Sequence, residues 1–247
     1  MIPGSRPRPR VPPGTRVYAI GDVHGCCGLL QALHRQILAD GEENGVVSGP
    51  DRRRVVVYLG DYIDRGPDSR GLIDLLIETP LSGFETVRLM GNHEEFMLRF
   101  LESGDDPENW ILNGGDATLR SYGLDTATIY GPAAALRAAL AARLPAAHRR
   151  FLEALRLMHE EGDYLFVHAG VRPGVPIKAQ NPRDLLWIRE PFLSAKEDFG
   201  KVVVHGHTPV ERPQVRANRI GIDTGACYGG ALTALVLEGT QRRFLHT

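Results

Sequence analysis

Apolar positions along this chain fall into short, almost unbroken runs that stop abruptly at small polar clusters. The run RVYAI (16–20) ends in Gly21-Asp22, and VVVYL (55–59) ends in Gly60-Asp61. FETVRLM (84–90) leads into Gly91-Asn92, YLFV (164–167) into His168, and KVVVH (201–205) into Gly206-His207. Runs of this length, apolar on consecutive positions, predict strands buried on both faces. RIGID (219–223) and ALTALVLEG (231–239) predict two more. Helical spacing appears between them, in LLQALHRQILAD (29–40), DSRGLIDLLIET (68–79) and EEFMLRFLES (94–103). A helical segment is expected over about 105–160, with PAAALRAALAARL (132–144) and PAAHRRFLEALRLMHEE (145–161) as its strongest parts. NGVVSGPDRRR (44–54) predicts a loop. Asp22, Asp61, Asn92, His168 and His207 thus all stand just past strand ends. In open α/β sheets the loops at the carboxyl ends of strands form the ligand crevice. The expected fold is therefore α/β: mixed sheets flanked by helices, with a polar site along one edge.

Composition narrows the class without changing this picture. The 247 residues suit a single domain, expected over 16–247, with a flexible Pro/Arg-rich tail over 1–15. With 43% apolar and 24% charged residues the chain has the balance of a soluble globular protein. A formal net charge of −1 gives no general attraction to nucleic acid or to an anionic membrane. No apolar stretch approaches the ~20 residues of a membrane span. The three cysteines, Cys26, Cys27 and Cys227, do not make a disulfide framework, and the expectation is free thiols in a reducing cytoplasm.

The candidate chemistry lies in GDVHG (21–25), GDYIDRG (60–66), GNHEE (91–95), VHAG (167–170) and HGHTP (205–209). Carboxylate, amide and imidazole donors at successive strand ends point to a pair of divalent cations about 3.5–4 Å apart, bridged by one carboxylate. Such a pair generates hydroxide from a bridging water near neutral pH and neutralises phosphate oxygens during in-line displacement. The motifs contain no cysteine, which excludes a structural zinc site.

These motifs resemble those of the calcineurin-like metallophosphoesterases, within them the phosphoprotein phosphatase family, and there the phage-lambda type with its bacterial relatives. ENWILNGGDATLRSYG (108–123), LLWIRE (185–190) and the segment 207–239 share in the resemblance, which runs from about residue 16 onward and is poor over about 124–160. The resemblance implies a sandwich of mixed β-sheets and a phosphomonoesterase using direct attack by a metal-bridging hydroxide. It implies Asp22 and His24 on the first metal, Asp61 as the bridge, and Asn92, His168 and His207 on the second. His93 becomes the general acid, oriented by Asp64, while Arg65 and Arg189 clamp the phosphate. The chemistry agrees: an alkoxide leaving group needs a proton that a carboxylate-held histidine supplies, and a phosphate dianion suits forked guanidinium donors.

Two divalent ions are the expected cofactors, manganese first, with iron or zinc also suiting the donors. The expected substrate is a phosphoserine or phosphothreonine protein, or a small phosphorylated molecule. The alternatives are hydrolysis of diadenosine tetraphosphate and, less favoured, a non-catalytic metal-bound scaffold. His205 is expected to pack or support rather than to bind metal. Glu94 and Glu95 are expected at a helix start, and His34, His148, His159 and His246 on the surface. Tyr228 either lines the site or is buried, and Asp223 is expected to orient a neighbour.

Overall fold

The computed structural model describes residues 8–43 and 53–247. Its strands, in chain order, are β1 (Thr15–Ile20), β2 (Arg53–Tyr58), β3 (Glu85–Arg88), β4 (Met158–Glu161), β5 (Tyr164–Val167), β6 (Val202–His205), β7 (Gln214–Val215), β8 (Arg219–Gly221), β9 (Thr233–Glu238) and β10 (Gln241–His246). They form two five-stranded sheets, ordered β10-β9-β1-β2-β3 and β4-β5-β6-β8-β7. β1, β2 and β3 run parallel, as do β5, β6 and β8; antiparallel strands close both flanks of the second sheet and the β10 side of the first, whose other edge is the parallel β3. The helices are α1 (Cys27–Glu43), α2 (Ser69–Glu78), α3 (Asn92–Ser103), α4 (Pro107–Trp110), α5 (Asp116–Ser121), α6 (Thr126–Ile129), α7 (Ala133–Arg143), α8 (Ala146–Glu153) and α9 (Pro182–Trp187).

Strand alternation divides the core into three layers. On β1, Val17 and Ala19 face the space between the sheets, where they meet Val55, Val57, Phe166 and Val204. Their neighbours Tyr18 and Ile20 face the other way, against Leu30, Leu33 and Ile37 of α1. The second sheet repeats the pattern, with Leu165, Val167 and Val203 packed on Leu185, Ile188 and Phe192. Every position of β1, β5 and β6 is therefore buried, which is why these strands read as continuous apolar runs rather than as alternating ones.

Several sequence expectations change here. The helical segment ends at Glu153, and residues 158–161 form β4, paired antiparallel with β5. Helical spacing in RLMHEE is overridden because the edge of the second sheet supplies backbone partners that an isolated helix end lacks. The loop expected over 44–54 lies outside the described residues as far as residue 52, and β2 begins at Arg53. Of the expected tail, residues 1–7 also lie outside the described residues, but residues 8–14 are held in place. Val11 is buried and its N–H donates to the Gly239 carbonyl at 3.1 Å, while Asp163 N–H donates to the Arg10 carbonyl at 2.9 Å. The tail therefore joins a turn of one sheet to a turn of the other.

Nor are His34 and His148 on the surface. His34 lies 2.8 Å from the Tyr58 hydroxyl, and His148 joins Tyr122 at 2.8 Å to Asp74 at 2.7 Å. Burial pushes the His34 pKa down to about 4, so the folded protein holds this ring neutral. The unfolded chain takes up its proton below about pH 6.5 while the native state resists. Stability from this site is present above that pH and lost as pH falls toward 4. Relative to His34→Gln, the wild type should lose about 3 kcal/mol between pH 6.5 and 4 in denaturant titrations. Parallel pH curves for the two proteins would refute the assignment.

Candidate active site

The loops following β1, β2, β3, β5 and β6 converge at the carboxyl ends of the parallel strands. Non-glycine residues with left-handed backbone concentrate there: His24 (φ 44°), Asp61 (52°), Asp64 (71°), Arg65 (65°) and His207 (63°). Such conformations are strained and persist where surrounding contacts enforce them, commonly at functional sites. One enforcing contact is Glu94, three residues into α3. Its buried carboxylate accepts from the backbone N–H groups of Asp61 (2.9 Å), Tyr62 (2.8 Å), Ile63 (3.2 Å) and Gly91 (2.9 Å). The expected helix-start role holds, and the same side chain also fixes the loop after β2. Asn92 and His93 form the first turn of α3 rather than the preceding loop.

Two clusters of donor atoms meet at Asp61. His24, Asp61 and His93 form one, and Asp61, His168 and His207 the other, with the donor atoms of each within 4.8 Å. Asp61 presents one oxygen to each side: Oδ2 lies 3.4 Å from His24 Nε2, and Oδ1 lies 3.4 Å from His168 Nε2. Asn92 Oδ1 completes the second cluster, 2.9 Å from His168 Nε2 and 2.8 Å from His207 Nδ1. Asp22 stands beside them with Oδ2 accepting from His207 N–H at 2.9 Å, while its Oδ1 is buried without a hydrogen-bond partner. A Cβ at residue 206 would lie 1.9 Å from that oxygen, so the approach of Asp22 requires glycine there.

Charge states divide the histidines by role. Burial lowers the pKa of His24 and of His207 to about 3, and lowers that of His168 too. The Ile63 and Leu59 carbonyls take Nδ1 of His24 and His168 at 2.7 and 2.9 Å. Those contacts place the ring proton on Nδ1 and leave the Nε2 lone pairs facing Asp61, as cation ligation requires. His93 behaves oppositely: burial works against its protonation, but Asp61 and Asp64 outweigh it and raise the pKa. Burial likewise opposes the Asp61 charge, yet four surrounding histidines, His168 foremost, hold its pKa below the usual carboxylate range. Burial and the carboxylates of Asp223 and Asp61 push the Asp22 pKa well up. An orphaned carboxylate oxygen, like charges held together and neutral imidazoles gathered around one aspartate form a set that divalent cations fit.

His93 Nδ1 lies 2.6 Å from Asp64 Oδ2, with both side chains buried, which excludes a surface Asp64–Arg65 ion pair. Arg65 reaches the site: its Nη1 is 2.9 Å from His24 Nε2 and its guanidinium lies over the Tyr228 ring at 5.6 Å. Tyr228 is itself exposed, at the rim of the site. Arg189 is exposed on the segment after α9, within electrostatic reach of His207. His205 turns away and packs on Phe192 at 5.0 Å, with Nδ1 3.1 Å from the Gly206 carbonyl. It belongs to neither cluster, as the sequence reading expects. Asp223 is buried beside Asp22, and its Oδ1 accepts from Gly225 N–H at 3.0 Å. Trp110, Thr118 and Ser69 were absent from the sequence expectations. They surround Asp64; Trp110 and Thr118 carry one sequence signal, their place in the ENWILNGGDATLRSYG segment, and Ser69, at the start of α2, carries none.

Known proteins resemble this chain in sequence and in fold. Residues 15–229 match the family model described as calcineurin-like phosphoesterase. Serine/threonine-protein phosphatase 1 of Salmonella typhimurium is 33% identical over 222 residues, covering 88% of this chain and 89% of its own. The asymmetrical bis(5′-nucleosyl)-tetraphosphatase PrpE of Bacillus thuringiensis is 30% identical over 237 residues, covering 87% and 88%. The fold is also that of a crystal structure described as a putative diadenosine tetraphosphatase, with a TM-score of 0.63 at 23% identity over 97% of this chain and 98% of that one. With this family match joined to two donor clusters sharing one aspartate, the chain belongs to the calcineurin-like phosphoesterases and is a metal-dependent phosphoester hydrolase.

Proposed function

We propose that this phosphoesterase is a serine/threonine phosphatase acting on phosphoproteins. The observation that carries the reading is the buried His93–Asp64 pair, 2.6 Å apart, with His93 Nε2 3.8 Å from Asp61 Oδ2. A serine or threonine alkoxide leaves poorly unless it is protonated, whereas a nucleotide leaves as a stable phosphate anion. A histidine whose ring is fixed by a buried carboxylate beside the donor clusters therefore does most for an alkyl phosphoester. The Salmonella relative, named as a serine/threonine phosphatase, supports the same reading.

Asp22, His24, Asp61, Asn92, His168 and His207 would hold two divalent cations, for which manganese is the proposed choice. When bound, such cations activate water and neutralise phosphate oxygens. The chain supplies the rest. Arg65, with Arg189 from the other side, binds the phosphate and orients it through forked donors. His93 holds a proton at Nε2 for the leaving oxygen, and Asp64 fixes the ring through Nδ1. A cavity of about 600 Å³ lined by Glu95, Phe96, Arg99, Asn181, Arg183 and Trp187 gives room for substrate beyond the phosphate. Trp187 connects that cavity to the site, with its ring 6.3 Å from His207.

The second reading, a dinucleoside tetraphosphate hydrolase, is favoured by the similarity to PrpE. Manganese-loaded protein should release phosphate from phosphoserine and phosphothreonine peptides at a kcat/KM at least about tenfold above that for diadenosine tetraphosphate, and chelation should abolish both activities. The reverse order would establish the second reading instead.

A further inference from the structure

The His93–Asp64 pair is gripped from a third direction, by the helical segment that follows α3. Trp110, the last residue of α4, donates its indole N–H to Asp64 Oδ2 at 2.9 Å. Thr118 of α5 donates its hydroxyl to Asp64 Oδ1 at 2.6 Å. With His93 Nδ1 also on Oδ2, each carboxylate oxygen has a donor from the segment, and Asp64 is wholly buried. The backbone of Asp64 is held too, its N–H lying 2.8 Å from Thr118 Oγ1 and 3.0 Å from Ser69 Oγ. Between Trp110 and Thr118 the chain makes a kinked turn over Ile111–Gly115, with left-handed backbone at Gly114 (φ 103°). Its Gly114 carbonyl accepts from Arg65 N–H at 3.1 Å, and a Cβ at 114 would stand 2.6 Å from Arg65 Cγ. The turn thus presses directly on the Asp64-Arg65 pair, whose backbone is left-handed at both residues.

From this geometry we infer that Trp110 and Thr118 are positioning residues for proton donation. They fix the rotation of the Asp64 carboxylate, and through it the direction of His93 Nε2. The inference rests on His93 acting as the proton donor. A carboxylate without these donors would stay buried but could rotate about its own bond, and the imidazole would follow it. Trp110 also packs on Phe100 at 5.5 Å, so its ring serves the core as well as the site. Trp110→Phe separates the two roles by keeping a ring and deleting the N–H. Thr118→Val deletes the hydroxyl at nearly constant shape, and Thr118→Ser restores it.

The test compares kcat/KM for phenyl phosphate, a poor leaving group, with that for p-nitrophenyl phosphate, a good one, at equal bound manganese. W110F and T118V should each lose about tenfold more on phenyl phosphate than on the nitrophenyl ester. T118S should recover the wild-type ratio. In a His93→Asn background the selective loss from W110F should disappear, because residues acting as one unit are not additive. Equal losses on the two esters, or a selective loss that persists without His93, would overturn the inference. If W110F does not fold, the T118V and T118S pair decides the same question. Should H93N itself lose equally on both esters, the acid reading fails and this inference with it. Should H93N be selective while W110F and T118V are not, the inference alone falls.

Discussion

Asp61→Asn should strip both cations from the protein, not one. Asp61 is shared by the two donor clusters, with Oδ2 toward His24 and Oδ1 toward His168. Replacing the carboxylate by an amide removes the negative charge from both positions and leaves one of the two faces an NH₂ group that cannot ligate. The amide oxygen can still accept from the His93 N–H that lies 3.2 Å from Asp61 Oδ1. Asp61 has φ 52°, a conformation asparagine tolerates nearly as well as any non-glycine residue. The Asp61 N–H keeps its bond to Glu94, since that contact uses the backbone alone. Elemental analysis of the purified variant should find well under one divalent ion per chain, with phosphatase activity down by at least about 10³-fold, as expected when the cation pair carries the chemistry. Retention of two ions per chain would show that Asp61 does not bridge them.

The site was more legible in the sequence than the scaffold that fixes it. Asp22, Asp61, Asn92, His168 and His207 announced themselves because a parallel strand buried on both faces reads as an apolar run, and its end is where the chain turns polar. The donors themselves carry distinctive chemistry. Residues that hold the donors in place have no such signature. Glu94 looks like any carboxylate near a helix start, and nothing local reveals that four backbone N–H groups from two loops converge on it. Trp110 is 46 residues from Asp64 in sequence, and a tryptophan on a short helix is more simply read as core. Its ring is indeed core; only the N–H points to the site.

Scaffold errors have the same origin. Local spacing makes β4 look like the end of a helix, because what makes it a strand is its pairing partner β5. His34 and His148 sit among charged or polar neighbours in sequence, but their rings turn inward to tyrosine hydroxyls. Residues 8–14 have the composition of a flexible lead-in, yet a single buried valine and a few backbone bonds tie them to both sheets. In each case a long-range partner outweighs local composition. His205 shows the converse. A second histidine beside a ligand histidine invites a metal role, but the strand's alternation sends it to the outer face of the sheet, against Phe192.

The acid role proposed for His93 has the sharpest kinetic signature. His93→Asn keeps a polar side chain in the first turn of α3 and leaves Asn92, Asp61 and the histidines of the second cluster in place. The protein should therefore fold, bind phosphate and keep the second cluster's cation. What it would lose, on the proposed reading, is a proton donor fixed through Nδ1 by the buried Asp64 carboxylate. General acid catalysis is worth about 10²–10⁴-fold where the leaving oxygen needs protonation, and little where it does not. On a phosphoserine peptide, kcat should fall by about 10³-fold, while on p-nitrophenyl phosphate it should fall by no more than about tenfold. KM should change little in either case, because the proposed reading gives phosphate binding to Arg65 rather than to His93. Equal losses on the two substrates would place His93 in phosphate binding or in the first cation cluster, whose donor atoms its Nε2 adjoins. A change in metal content alongside the loss would select the latter. The substrate comparison therefore separates three roles that one position, next to Asn92 and within reach of Asp61, makes geometrically possible.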